Sequence, residues 1–118
     1  MSAVEAKYDQ LRSTLQNKLG PIDANFAMRL MYLERKASKS YYPSVKPHVF
    51  LTIKYKQGID GENKKSKLST KYGMMVESID NLQEILVEGY MDMSDVTEIS
   101  SDSDIDKITG KASLVISG

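Results

Sequence analysis

Residues 47–76, PHVFLTIKYKQGIDGENKKSKLSTKYGMMV, decide how the rest of the chain is read. The stretch predicts a long β-hairpin: an alternating strand, a turn carrying Gly58, Asp60 and Gly61, a lysine-studded arm and a second alternating strand. Successive side chains of a strand point to opposite faces. Val49, Leu51, Ile53 and Tyr55 therefore share one face, and Phe50, Thr52, Lys54 and Lys56 the other. In the second strand Leu68, Thr70, Tyr72, Met74 and Val76 oppose Lys67, Ser69, Lys71 and Met75. One side of such a hairpin enters a core while the other offers cations to a polyanion.

Working toward the N-terminus, Ser38 to Pro47 is a connector, because Pro43 and Pro47 forbid regular structure through it. Ala24 to Ser38 precedes it, rich in Ala, Met, Leu, Arg and Lys, without a β-branched residue and with Asp23 as a ready N-cap. Helix is the expectation; the alternation of Phe26, Met28, Leu30 and Tyr32 admits a strand against propensity. Ser2 to Leu19 predicts a first helix, opened by the capping-box pair Ser2 and Glu5. Its Val4, Tyr8, Leu11 and Leu15 lie at four-three-four spacing, a narrow apolar seam, and Gly20-Pro21 end it. Packing of that seam on the second helix, in a helical hairpin, is favoured over a coiled coil, since two heptads are few.

Toward the C-terminus, Ser78 is positioned to cap a third helix, Ile79 to Glu88, that Gly89 stops. Tyr90 to Lys107 is acidic and serine-rich and reads as a solvated linker or tail. Ala112, Leu114 and Ile116 alternate with Ser113, Val115 and Ser117, as in a returning edge strand. The fold class expected is α+β: an N-terminal helical hairpin, a small antiparallel β-sheet, one further helix and an acidic C-terminal segment. The division expected is one domain over 1–90, a linker over 91–107 and a possible terminal edge strand over 108–118.

The balanced total of 16 basic and 16 acidic residues conceals an asymmetry. From Asn25 to Val76 eleven Lys or Arg stand against three acids, a balance of +8; from Glu77 to Gly118 ten acids stand against Lys107 and Lys111, a balance of −8. Either the basic part meets an external polyanion or the two parts attract each other.

Signals of catalysis are poor. His48, the only histidine, has no serine or cysteine partner in view, and there is no cysteine for a thiolate metal site. Asp102, Asp104 and Asp106 copy the start of a calcium loop, but Lys107 stands where glycine is needed and Ser113 where a bidentate glutamate belongs. No phosphate-loop, dinucleotide or nucleophile-elbow motif occurs. The expectation is a non-enzymatic protein without cofactor or metal. No apolar run reaches the roughly 20 residues that span a bilayer, and MSAVEAKYDQ lacks a signal region. An intracellular protein, cytoplasmic or nuclear, is expected.

Lysines with interleaved rings hold single strands by tracking phosphates and stacking bases. Phe50, Lys54, Lys56, Lys64, Lys65, Lys67 and Lys71 are the expected nucleic-acid-binding residues; Tyr41 and Tyr42 are further rings, while Tyr55 and Tyr72 fall on the core side. The run also resembles part of the positive cofactor four family, single-stranded-DNA-binding transcriptional coactivators. The matching pieces are IKY at Ile53 to Tyr55, DGE at Asp60 to Glu62, KYGM at Lys71 to Met74 and the helix expected from Ile79. The resemblance covers about Val49 to Leu86 and implies a dimeric sheet that cradles single-stranded DNA. The function expected is thus single-strand-preferring nucleic-acid binding, as a homodimer. The alternative is a protein-assembly or inhibitor module whose helical hairpin and acidic segment grip a partner protein.

Overall fold

A computed structural model describes residues 3–39, 46–72, 75–78 and 83–114, with backbone alone for 75–78. The architecture is α+β. In chain order it runs α1 (Ala3–Leu19), α2 (Ala24–Ser38), β1 (His48–Tyr55), α3 (Gly61–Tyr72), β2 (Met75–Ser78), β3 (Glu84–Tyr90), α4 (Met93–Ser100) and β4 (Ile105–Ser113). The four strands form one antiparallel sheet in the order β2-β3-β1-β4.

β1 is the axis of the sheet and keeps the expected parity: Val49, Leu51, Ile53 and Tyr55 are buried, Phe50 and Lys54 exposed. Ile85 and Val87 of β3 and Ile105 and Ile108 of β4 join the buried side. Against it pack Phe26, Ala27 and Leu30 of α2 and Val96 and Ile99 of α4, with Leu68 and Tyr72 of α3 partly buried at the margin. The molecule is two layers, helices on one side of a sheet.

α2 has the expected bounds, and the Asp23 carboxylate caps it by accepting the Phe26 N–H at 3.0 Å. Pro21 to Asp23 runs beside β4, with Asp23 N–H donating to Ile108 O and Ile108 N–H to Pro21 O, both at 2.8 Å. The two N-terminal helices are joined through Gly20 at φ 62°, a conformation that favours glycine. The seam of α1 does not pack on α2. Every residue from Ala3 to Thr14 is exposed, and contact begins at Leu15, Gln16 and Leu19. The capping pair cannot be assessed, since Ser2 lies outside the described residues.

Three expected elements are corrected. The second hairpin strand is helix α3 as far as Tyr72; Met75 and Val76 are strand, in β2, but pair with β3, and β1 pairs with β3 and β4 instead. Gly61 to Tyr72 is mostly Glu, Lys, Ser and Asn with one β-branched residue, and Asp60 accepts the Asn63 N–H at its start. Leu68 and Tyr72 sit four apart, a spacing that satisfies both a strand face and a helix face. The basic strand implied by the family resemblance is this helix. Second, Glu84 to Glu88 of the expected third helix belong to strand β3, with Ile85 and Val87 buried at period two; Ile79 to Leu82 lie outside the described residues.

Third, the acidic linker is folded. Asp92 and Asp95 form a reciprocal capping box on α4, Val96 and Ile99 are buried, and residues 105–107 already belong to β4. The returning terminal strand pairs with β1 from Ile105, rather than from residue 108, as far as Ser113; residues 115–118 of the expected strand lie outside the described residues. Among the described residues, no helix is long and apolar enough to cross a membrane.

Candidate nucleic-acid interface

No described helix packs on the outward face of β1, β3 and β4. The register lays four rows across it: Tyr90, His48, Ser113; Glu88, Phe50, Lys111; Leu86, Thr52, Thr109; and Glu84, Lys54, Lys107. Phe50 is 51% and Tyr90 68% exposed, both large for rings without a use in a core. The rings of His48 and Phe50 meet edge to face at 4.9 Å between centroids, and His48 meets Tyr90 at 5.4 Å. His48 Nε2 lies 3.1 Å from a Glu88 carboxylate oxygen, so the imidazole is held between two rings by a carboxylate. The three aromatics form one contiguous patch.

Lys111 stands beside Phe50 in its row and Lys54 and Lys107 two rows on, all three exposed and without an ion pair among the described residues. The β4 ladder shifts register between Lys54 and Tyr55, which leaves Asp106 as an extra, exposed residue beside them. Glu84 and Glu88 share the face. The electrostatic character is therefore mixed, with Lys111 beside the rings and Lys54 and Lys107 at the far end of the sheet.

The expected binding residues divide into two groups. Phe50 and Lys54 lie on this face, and Lys56 follows at the end of β1, exposed. Lys64, Lys65, Lys67 and Lys71 are carried off on α3. There Lys64 donates to Asp102 and to Asp104, each at 2.8 Å, and Lys71 pairs with Glu98. Lys46 is likewise bound, 3.0 Å from Asp95 and 3.7 Å from Asp92. The attraction between the basic and acidic parts of the chain is thus realised inside the fold. Lys65 and Lys67 carry no ion pair among the described residues. Tyr41 and Tyr42 lie outside the described residues.

The bridges set the titration of the groups that make them. Hydrogen bonds from Lys64 to Asp102 and then Asp104 raise its ammonium above the ordinary lysine range despite partial burial. Burial works to raise the Asp102 carboxyl, but the Lys64 bond, the Asp104 N–H and the charges of Lys64 and Lys67 outweigh it and hold it low. Tyr55 beneath is pushed up to about 12, by burial first and by the Asp102 charge second. A cleft of about 180 Å³ opens here, lined by Tyr55, Lys64, Lys67, Lys71, Glu98 and Asp102 among others. Lys64 and Lys71 in it are already matched by Asp102, Asp104 and Glu98, which suits a structural seam better than a phosphate site.

Sequence reasoning missed His48, Tyr90, Lys107 and Lys111 as members of one surface. The available signal was the alternation of Ile85 and Val87 against Leu86 and Glu88, which sends Tyr90 outward. A second basic surface lies on the outer side of α2, where Arg29, Arg35, Lys36 and Lys39 are exposed and Arg29 stands 5.7 Å over the Tyr32 ring. Comparison of the chain with protein-family models, curated proteins and solved structures returned no match. Its function is accordingly argued from its own residues.

Proposed function

We propose that this chain is a non-enzymatic protein that binds single-stranded nucleic acid on the open face of its sheet. The observation that carries the reading is the exposed patch of Phe50, His48 and Tyr90 on adjacent strands of a face that no described helix covers. Four-stranded antiparallel sheets with helices on one side offer such rings to two or three splayed bases. A double helix keeps its bases stacked inside and cannot use them. Phe50 and Tyr90 each stack a base, while Lys54, Lys107 and Lys111 neutralise phosphates along the strand. Thr52 and Thr109 lie between, within the same rows, as hydroxyl partners for sugar or base edges.

The other reading, an acidic tail that grips a basic partner, has less support. Asp92, Asp95, Glu98, Asp102 and Asp104 are engaged with this chain's own lysines or backbone.

Fluorescence anisotropy with labelled oligo-dT, oligo-U and duplex DNA tests the proposal. Single strands are expected to bind more tightly than duplex. Phe50→Ala and Tyr90→Ala should each weaken binding about tenfold, which corresponds to about 1.4 kcal/mol from the range for one stacked base. Undiminished affinity in the double variant, with its circular dichroism unchanged, rejects the sheet face. Loss on Arg29→Ala with Lys36→Ala instead would assign the contact to α2.

A further inference from the structure

We propose that α1 is the surface through which two copies of this chain associate, side by side and running in opposite directions. Among the described residues α1 packs on the rest of the chain only from Leu15 onward, which leaves Val4, Tyr8 and Leu11 uncovered. Val4 is 77%, Tyr8 53% and Leu11 70% exposed, and α1 buries no residue. The radius of gyration is 15.6 Å, against about 13.5 Å for a compact chain of this length. A projecting α1 accounts for the excess in part. An isolated helix of this length is marginal in water, and its stability ordinarily comes from a covered apolar face.

The pattern on α1 indicates what covers it. Four-three-four spacing of Val4, Tyr8, Leu11 and Leu15 is the a/d seam of a short coiled coil, which fits best against another seam of the same period. The flanking charges then select the direction. In a parallel pair, Lys7 of each copy meets Arg12 of the second copy, on both sides of the seam. In an antiparallel pair the layers are Val4 with Leu15 and Tyr8 with Leu11, Glu5 of each copy lies beside Arg12 of the second copy, and Lys7 meets Thr14. The Arg12–Asp9 contact within the chain is loose, 3.9 Å between half-exposed groups, and does not compete strongly. Opposite running also sets the two sheet-and-helix bodies at opposite ends, whereas a parallel pair brings both to the Leu19 end.

Four side chains from each copy bury less than the roughly 1,200 Å² of a standard interface. The association is therefore a reversible equilibrium on the order of tens of micromolar rather than an obligate dimer.

Sedimentation equilibrium on the full chain tests this. The expected result is a monomer–dimer equilibrium that Leu11→Asp abolishes without altering the unfolding temperature. Arg12→Glu should weaken it at least tenfold, and Glu5→Lys combined with Arg12→Glu should restore it. A monomer throughout the micromolar range overturns the proposal. So does a dimer that survives Leu11→Asp, or one lost on Phe50→Ala, which would move the contact to the sheet face. Failure of the double reversal to restore association overturns the opposite running. Oligonucleotide affinity at nanomolar protein, where the chain is monomeric, is expected to be unchanged in every α1 variant, so the two proposals fail separately.

Discussion

Gly110 shows how narrowly a single position is specified. A Cβ there would stand 2.5 Å from the Phe50 carbonyl oxygen and 3.1 Å from the Phe26 ring. The first neighbour is backbone of the central strand and cannot move without disturbing the ladder. Gly110→Ala should lower the unfolding free energy by about 1–3 kcal/mol, the usual cost of overpacking, measurable by urea titration. Asp102 makes a second case. Its carboxyl is held low and the Lys64 ammonium high, so their bridge contributes fully between the unfolded values of the two groups, about pH 4 to pH 10. The contribution is lost as pH falls through the depressed carboxyl, and again as pH rises through the elevated lysine. Asp102→Asn should therefore cost about 1–3 kcal/mol at pH 7 and converge on the wild type near pH 2. Equal differences at both pH values would assign the loss to something other than this bridge. At this scale β1 was legible in the sequence, since its period of two has no competing helical reading. The destination of Lys64 was not, because a side chain's partner 38 residues away leaves no local trace.

At the scale of elements, the ambiguities had one physical source. Leu68 and Tyr72 fit a helix face and a strand face equally, and Ile85 belongs both to a helical set with Leu82 and Leu86 and to a strand set with Val87, so the spacing alone does not decide. α3 is helical because its lysine-rich surface needs no pairing. β3 is extended because β1 otherwise lacks a neighbour on that side. α4 was hidden by composition: eight residues with only Val96 and Ile99 buried look solvated, yet Asp92 and Asp95 cap the helix and Glu34 of α2 accepts the Met93 N–H. Asp92→Ala should cost about 1 kcal/mol through the lost cap, detected as a lower unfolding temperature with the spectrum of the folded protein intact. Removal of residues 92–118 goes much further, because β4 flanks the central strand. Circular dichroism and chemical-shift dispersion are expected to show an unfolded chain; a folded one would contradict the sheet order.

For the whole molecule, the charge asymmetry read from the sequence is real and is spent in part within the fold, in the bridges of Lys46, Lys64 and Lys71. The cations left on the proposed interface are Lys54, Lys107 and Lys111. Three neutralised phosphates on a single strand give a log–log salt slope of about −2. The six lysines expected from the sequence, Lys54, Lys56, Lys64, Lys65, Lys67 and Lys71, would imply a steeper one. A slope near −5 in anisotropy titrations would mean that the contact extends beyond this face, onto α3 or α2. The α+β class was legible because the first two helices and β1 carry unambiguous periodicities. The site was legible only in Phe50 and Lys54, since the rest comes from strands far along the chain.

The pairing of β1 with β4 carries a consequence for biosynthesis. Tyr55 meets Ile105 and His48 meets Ser113, so the strand waits for partners made about 50 to 65 residues later. At about 5–20 residues per second, the delay is several seconds on the ribosome. Until β3, its other neighbour, has been made, HVFLTIKY is an apolar extended segment with no sheet to enter, and its β4 edge stays open for longer still. Lys46, Lys54 and Lys56 flank or interrupt it, and like charges on neighbouring nascent chains keep such segments from stacking. The same cations that face solvent in the finished protein thus guard its most aggregation-prone stretch before the fold exists.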